Sequence, residues 1–267
     1  MLSILTLNIQ AAGLPRAQAL LRWFDQRDDH VLILTETSDG PGTAHLLDQC
    51  RMAGLAVIQQ PGTSGDRGCA LVSRLPVTAE PQLLAGISLP GRGVAGTVAT
   101  DPPLTVVGLY VPSTDRAPDK VAKKRTFLAT VLNALGGIAD QSDRHIVLVG
   151  DYNVISRDHR PPYRGFPEFE YQFLDTLTGE LGLLDAHQHR HPGVQEHSWI
   201  GRGGNGYRFD YFHVSRSLGD LVDGCAYLHQ PRGDGLSDHA AVTLRLAITP
   251  APRTLQHSPL GTAATLF

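Results

Sequence analysis

Short apolar runs, several of them apolar at nearly every position, alternate along this chain with segments patterned at helical spacing. Leu2–Gln10, Val31–Thr35, Leu104–Ser113 and His145–Asn153 are of the first kind and predict strands buried on both faces. Arg16–Gln26 carries Ala17, Leu20, Leu21 and Phe24 three to four residues apart, which predicts a helix with one buried face. A helix is also predicted from about Lys120 to Leu135, on Val121, Phe127, Leu128, Val131 and Leu135. Further helices are predicted over His45–Met52, after a break at Gly40-Pro41-Gly42, and over Tyr171–Leu181, closed by Gly182. Leu55–Gln59 and Cys69–Ser73 read as paired strands around the hairpin loop PGTSGDRG, and residues 94–100 as a neighbour of 104–113. Short strands are expected at Glu196–Gly201, Tyr207–Ser215, Gly224–His229 and Ala240–Ala247. This mixed order suits packed sheets with helices outside, an α/β fold.

With 267 residues, the chain reads as one domain over 1–247, followed by a Pro- and Thr-containing tail over 248–267. The 28 glycines and 18 prolines argue for many loops and against a helical bundle. A net charge of −3 excludes a histone-like, tail-driven mode of nucleic-acid binding, but leaves room for a local basic patch. Cys50, Cys69 and Cys225 are too scattered for a thiolate metal site or a disulfide framework. No apolar run reaches membrane-spanning length and the start does not resemble a signal peptide, so a cytoplasmic protein is expected, with no membrane and no obligate protein partner.

Several apolar runs end on a group capable of chemistry. VLILTE delivers Glu36, HIVLVGDYN delivers Asp151 and Asn153, GLYVPS delivers Tyr110, and LTLNIQ contains Asn8. The i, i+2 spacing of Asp151 and Asn153 puts them on one side of a chain that stays extended. YRFDYFHVS buries Asp210 in an apolar and aromatic run, where a carboxylate needs a partner such as a histidine, and GLSDHAAV presents Asp238-His239. Singly, each is a common turn former, cap or core residue. Jointly they suit phosphoester hydrolysis: oxygen ligands for a hard cation such as Mg²⁺ (or Mn²⁺), an Asp to take a proton from water, and a His⁺ and an Asn to donate to phosphate.

The pieces LNIQ, ILTE, GLYVPS, VGDYNVI, HSWIGRGGNGYRFDYFHVS and LSDHAAV run in the order found in the endonuclease/exonuclease/phosphatase superfamily, which the chain resembles over residues 7–242. The resemblance implies a four-layer α/β/β/α sandwich with the site at one end of the sheets. It implies Glu36 as principal metal ligand, with Asn8 and Asp238 beside it. It further implies Asp151 as the group that orients or deprotonates water, Asn153 and His239 on the phosphate, Asp210 holding His239, and Tyr110 positioning the phosphate. Arg208 is expected near the substrate or in a supporting ion pair, and Tyr207, Trp199, Ser113 and Arg164 at the substrate. Ser113 stands where apurinic endonucleases have Asn, and Thr35-Glu36 where the family often has Gln-Glu.

Two substrate classes remain open. DNA is suggested by Arg157, Arg160 and Arg164 alternating with His159, Tyr163, Phe166 and Phe169, and by the cluster Lys120, Lys123, Lys124 and Arg125. A small phosphorylated metabolite, such as a nucleotide or sugar phosphate, is suggested by the weak total basicity, since that helix cluster also reads as a solvated face. A non-catalytic binding or scaffold role is the third reading. His187, His189, His191 and His197 read as structural or solvated rather than as a zinc site, and Ser237 beside Asp238-His239 does not form a hydrolase triad.

Overall fold

The computed structural model describes residues 1–60, 62–114, 117–139 and 144–251. The first half runs β1 (Leu2–Asn8), α1 (Leu14–Asp25), β2 (Val31–Thr37), α2 (Pro41–Met52), β3 (Ala56–Gln59), β4 (Gly68–Ser73), β5 (Val77–Ala79), β6 (Gly93–Val98), β7 (Thr100–Asp101) and β8 (Leu104–Tyr110). Then follow α3 (Pro118–Ala139), β9 (His145–Asp151), α4 (Glu168–Gly179), β10 (Leu184–Asp185), α5 (Ala186–Arg190), β11 (Trp199–Ile200) and β12 (Gly206–Tyr207). β13 (Asp210–Val214), β14 (Val222–Leu228), α6 (Gln230–Gly233), β15 (Ala241–Leu246) and β16 (Thr249–Pro250) complete it.

Two six-stranded mixed sheets form, in the orders β14-β15-β1-β2-β4-β3 and β10-β13-β9-β8-β6-β5. Alternation along the strands assigns the layers. In β1, Leu2 and Ile4 enter the core between the sheets, with Val31 and Ile33 of β2, Val106 of β8 and Val147 and Val149 of β9. Leu5, Leu7, Leu32 and Leu34 face the opposite way, onto Ala17, Leu20 and Phe24 of α1 and Leu46 and Leu47 of α2. Val107, Leu109 and Leu148 of the second sheet pack on Phe127, Leu128 and Val131 of α3 and Phe173 and Leu177 of α4. The order is therefore helices, sheet, sheet, helices. The unbroken apolar runs arise because these strands are buried on both faces.

Some boundaries differ from the sequence reading. Gly40-Pro41-Gly42 opens α2 instead of separating it from the preceding strand. Pro41 sits in the first turn, where a missing N–H costs nothing. A Cβ at Gly42 would lie 1.9 Å from the Ala12 carbonyl oxygen, so glycine there lets the helix start reach the turn after β1. The histidine-rich stretch is helical, not extended. Asp185 caps α5 by accepting from the His187 and Gln188 amides, and the His187 and His191 rings meet at 5.1 Å, one turn apart. Beyond residue 247, Ile248 is buried and β16 pairs with β7, so packing passes the expected domain end, while tail residues 252–267 lie outside the described residues.

A buried polar knot closes the second sheet. Arg208 donates to both Asp185 oxygens at 2.6 and 2.7 Å and to the Tyr227 hydroxyl at 2.7 Å, and its guanidinium lies 4.5 Å from the Tyr211 ring centroid. Burial raises the Asp185 carboxyl, but the guanidinium outweighs it and holds it down at about 2. Nearby His213 is buried and stacked at 5.8 Å on Tyr152. Burial lowers its imidazole to about 4, so the folded state keeps it neutral.

The unfolded chain binds a proton on His213 near pH 6.5, whereas the folded chain resists until near 4. The contribution of His213 to stability is therefore complete above pH 6.5 and falls by on the order of 3 kcal/mol as pH drops through that window. Asp185 loses its own contribution only below about pH 4. Urea denaturation at pH 7 and pH 4.5 should show a lower midpoint at the acid value, and a smaller drop in His213→Phe. An equal drop in that variant refutes the assignment.

Candidate active site

β1 and β2 run parallel, as do β8 and β9, so the carboxyl ends of both pairs come to one end of the sandwich. Register does the rest. Tyr110 lies beside Asp151 across β8 and β9, and Asp151 lies beside Asp210 across β9 and β13. A cleft of about 720 Å³ opens there, lined among others by Asn8, Glu36, Tyr110, Asp151, Asn153, Asp238 and His239.

Departure from strand geometry is concentrated at this end. Among the described residues, the non-glycine residues with positive φ are Gln10, Ala11, Glu36 and Asn153. Such conformations are uncommon away from glycine and hold only where the surroundings fix them. Glu36 has φ 57° at a bulge in β2, where the register against β4 shifts between Thr35 and Thr37. Asn153 has φ 50° after β9 has ended. It therefore reaches the cleft through a left-handed turn, not through the i, i+2 alternation expected from sequence. Gly150 precedes this turn at φ 139°, and a Cβ there would lie 2.1 Å from the Leu109 carbonyl oxygen on β8.

Hydrogen bonds lock the floor of the cleft. Asn8 Nδ2 donates to Asp151 Oδ2 at 2.9 Å, linking the two sheets, and the Asn153 amide donates to Asp151 Oδ1 at 2.9 Å. Asn8 Oδ1 accepts from the Gln10 amide at 2.8 Å, which fixes the turn after β1. His239 Nδ1 meets Asp210 Oδ2 at 2.7 Å with both residues buried. Burial disfavours the imidazolium, but Asp210, followed by Asp151 and Asp238, lifts His239 to about 9. Burial and the Asp210 charge push the Asp151 carboxyl well above the usual carboxylate range. Burial, then Asp151 and Glu36, raise the Tyr110 phenol, so it stays protonated; the Arg92 guanidinium lies 4.6 Å from its ring centroid.

The donor set suits a hard divalent cation. Asp210 Oδ1 and Asp238 Oδ1 are buried without a hydrogen-bond partner, and such orphan oxygens call for a cation or water. Ligand atoms of Asp151, Asp210 and His239 lie within 4.8 Å of one another. His239 Nδ1 is committed to Asp210, so the oxygens are the fitting ligands. Glu36 shares the cleft, 3.7 Å from the Arg67 guanidinium.

The cleft walls come from two other segments. Tyr163, Arg164 and Phe166 of the 152–167 loop face Trp199, Tyr207 and Phe209, with the Tyr163 and Tyr207 rings 4.5 Å apart and Tyr207 stacked on Phe209 at 5.2 Å. Trp199 Nε1 donates to Asp238 Oδ2 at 3.0 Å, and Ser113 also lines the cleft. Arg208 is not at the cleft. Its side chain is buried in the Asp185–Tyr227 knot, because a buried arginine in the link between β12 and β13 must find a carboxylate there. Its link to the site is indirect, since Tyr227 donates to the Asp210 carbonyl at 2.6 Å.

The expected basic surfaces are mostly engaged internally. Lys124 is buried against Glu170, Lys123 pairs with Asp66, and Arg125 lies 4.8 Å from the Phe169 ring centroid. Arg157 binds Glu168 and Asp175, and Arg160 donates to backbone carbonyls. Sequence reasoning missed Ser198, whose hydroxyl accepts from the Phe209 and Asp210 amides, and it set Ser237 aside, whose hydroxyl links the Asn8 carbonyl to the His239 amide. Nothing in their local sequence marks them. Lys124 and Glu170 did carry a signal. Lys124 sits three before Phe127 and Glu170 three before Phe173, each on the apolar stripe of its helix.

Among curated proteins, none matches the chain by sequence. Solved structures do match its fold. The 3′ phosphatase NExo from Neisseria bound to product DNA hairpin superposes with a TM-score of 0.75 at 22% identity, covering 92% of this chain and 99% of that one. An AP endonuclease from Archaeoglobus fulgidus gives 0.73 at 19% identity, and the 3′-5′ exonuclease NExo from Neisseria meningitidis 0.73 at 23%, both with the same coverage. Residues 5–239 match the description Endonuclease/Exonuclease/phosphatase family. That match spans the strand ends, the His239–Asp210 pair and both walls of the cleft, and the chain belongs to the endonuclease/exonuclease/phosphatase family.

Proposed function

We propose that the chain is a Mg²⁺-dependent phosphoesterase of the exonuclease III type, acting on phosphoester bonds in DNA. The observation that carries this is the buried His239–Asp210 pair facing an Asp151 whose two oxygens are held by Asn8 and Asn153. The likeness to a DNA-bound 3′ phosphatase and to an AP endonuclease supports DNA as the substrate. Arg164 and the aromatic walls suit a phosphate and a stacked base.

Asp151, with its raised carboxyl, takes a proton from the attacking water more readily than an ordinary carboxylate would. His239, kept cationic by Asp210, donates to a phosphate oxygen as negative charge builds there. Tyr110, protonated at working pH, adds a hydroxyl donor. Glu36 and Asp238 would hold the cation, with Asn8 beside them. A divalent cation supplies charge for the phosphate oxygen and the leaving oxyanion. The three buried free thiols suit a reducing cytoplasm, and no helix among the described residues is long and apolar enough to cross a membrane.

A second reading, a small phosphomonoester as substrate, draws on one observation. The cleft is flanked by aromatic walls, and among its described lining residues the arginine and lysine side chains are Arg164 and Lys124.

Hydrolysis of abasic duplex DNA and of 3′-phosphorylated DNA, measured beside a panel of phosphomonoesters, separates these readings. DNA should be cleaved with Mg²⁺, cleavage should stop with EDTA and return on adding metal, and Asp151→Asn should lose about 10²–10⁴-fold in rate. Cleavage of monoesters alone establishes the second reading, and unchanged activity in Asp151→Asn sinks both. The pH–rate profile tests the charged histidine. His239 stays protonated up to about pH 9 in the wild type, so activity should persist to that limit. Asp210→Asn removes the charge that lifts it, and the alkaline limb should move down toward the ordinary histidine value. A limb that does not move overturns the role of His239⁺.

A further inference from the structure

The buried pair Lys124–Glu170 is not needed for any step described above. Both side chains are 1% exposed and their charged atoms lie 2.7 Å apart, joining α3 to α4 beneath the cleft. A buried ion pair of this kind is a weak source of stability, because desolvation offsets the attraction. The pairing is also incomplete, since Glu170 Oε1 has no hydrogen-bond partner. What distinguishes it is the second bond of the ammonium. Lys124 Nζ donates to the backbone carbonyl of Asn153 at 2.7 Å.

That carbonyl belongs to the residue held at φ 50°. Asn153 is fixed at three points. Its amide donates to Asp151 Oδ1, its side-chain Nδ2 donates to the Val111 carbonyl at 3.0 Å, and its own carbonyl accepts from Lys124. Removing the ammonium leaves that carbonyl without its donor, and the least costly relief is a change of the Asn153 φ and ψ angles toward common backbone geometry. A change in φ at Asn153 reorients the preceding peptide, which carries the Asn153 N–H, relative to Asp151, whose other oxygen is held by Asn8.

We infer that Lys124 and Glu170 are positioning residues: the pair clamps the Asn153 carbonyl, and through it the Asp151 carboxylate and the Asn153 side chain, in the geometry the reaction needs. Neither residue touches the reacting atoms. Glu170 supplies the counter-charge that lets an ammonium sit in the interior, and Lys124 carries the bond to the site. The part of the inference that concerns turnover rests on the phosphoesterase reading, whereas the part that concerns the Asn153 backbone does not.

Two double variants isolate the bond from the charge. K124M/E170M removes both charges together and leaves no donor for the Asn153 carbonyl. K124Q/E170Q also removes both charges but keeps an N–H donor, on a side chain one bond shorter than lysine. Thermal melts establish that each is folded. In K124M/E170M, kcat should fall about 10- to 100-fold with little change in KM, the range seen when a group that orients a ligand is lost. The Asn153 amide should also exchange with solvent at least about tenfold faster, since the bond to Asp151 has loosened. In K124Q/E170Q the changes should be smaller, as far as the shorter donor reaches the carbonyl. Wild-type kcat and wild-type Asn153 exchange in folded K124M/E170M overturn the inference. If wild-type protein hydrolyses no phosphoester while the exchange difference persists, the functional reading has failed and the clamp stands. Should the methionine pair not fold, K124M is compared with wild type, each below its own unfolding transition: faster Asn153 exchange and lower kcat in K124M support the clamp, and wild-type values overturn it.

Discussion

Burial on both faces of the central strands is the constraint from which the rest of this molecule follows. β1, β2, β8 and β9 have apolar neighbours above and below along most of their length, from the opposing sheet on one side and from helices on the other. A charged side chain in the middle of such a strand would face desolvation with no room for water. Polar chemistry is therefore pushed to the strand ends. Because β1 with β2, and β8 with β9, point the same way, those ends meet, and the carboxylates they carry converge on one cleft.

Convergence alone would give a crowd of carboxylates. Organisation comes from hydrogen bonds that cross between elements. Asn8 ties the first sheet to Asp151 of the second, Ser237 ties the loop carrying Asp238 and His239 back to β1, and Ser198 fixes the backbone at Asp210. Behind them, the Arg208–Asp185–Tyr227 knot holds the Asp210 carbonyl from the far side. Strain at Asn153 is tolerated because its amide, side chain and carbonyl are each bonded, which over-determines the position.

The four layers are legible in the sequence because two-sided burial writes itself as apolar runs and one-sided burial as helical spacing. Glu36, Tyr110 and Asp151 are legible as polar ends of such runs, and Asp210 as a carboxylate in an apolar segment. Arg208 is legible only as a choice between substrate contact and supporting ion pair, and the acidic end of a separate short strand, Asp185, decides for the ion pair. Asn153 reaches the cleft for a different reason from the one its spacing suggests, since alternation assumes a chain that continues straight and this one turns left-handed. Lys124 groups with its basic neighbours in the sequence although its spacing puts it on the buried stripe; only the partner on another helix, 46 residues away, reveals its role. Ser198 and Ser237 give no signal, because a hydroxyl that caps backbone amides across a loop has no periodicity to betray it.

The division between the floor of the cleft and its walls has an evolutionary and practical corollary. The floor hangs on strand ends locked into both sheets, whereas the walls belong to a long loop after β9 and to the small hairpin of β11 and β12, which joins the site through a bridge between Trp199 and His239. Residues such as Tyr163, Phe166 and Tyr207 can thus be exchanged, or the loops carrying them lengthened or shortened, with little disturbance to the sandwich. Substrate range and bond-breaking machinery are separable modules in this architecture, and redesign of specificity belongs in residues 163–167 and the hairpin, with the strand ends and the largely buried 152–155 segment left untouched.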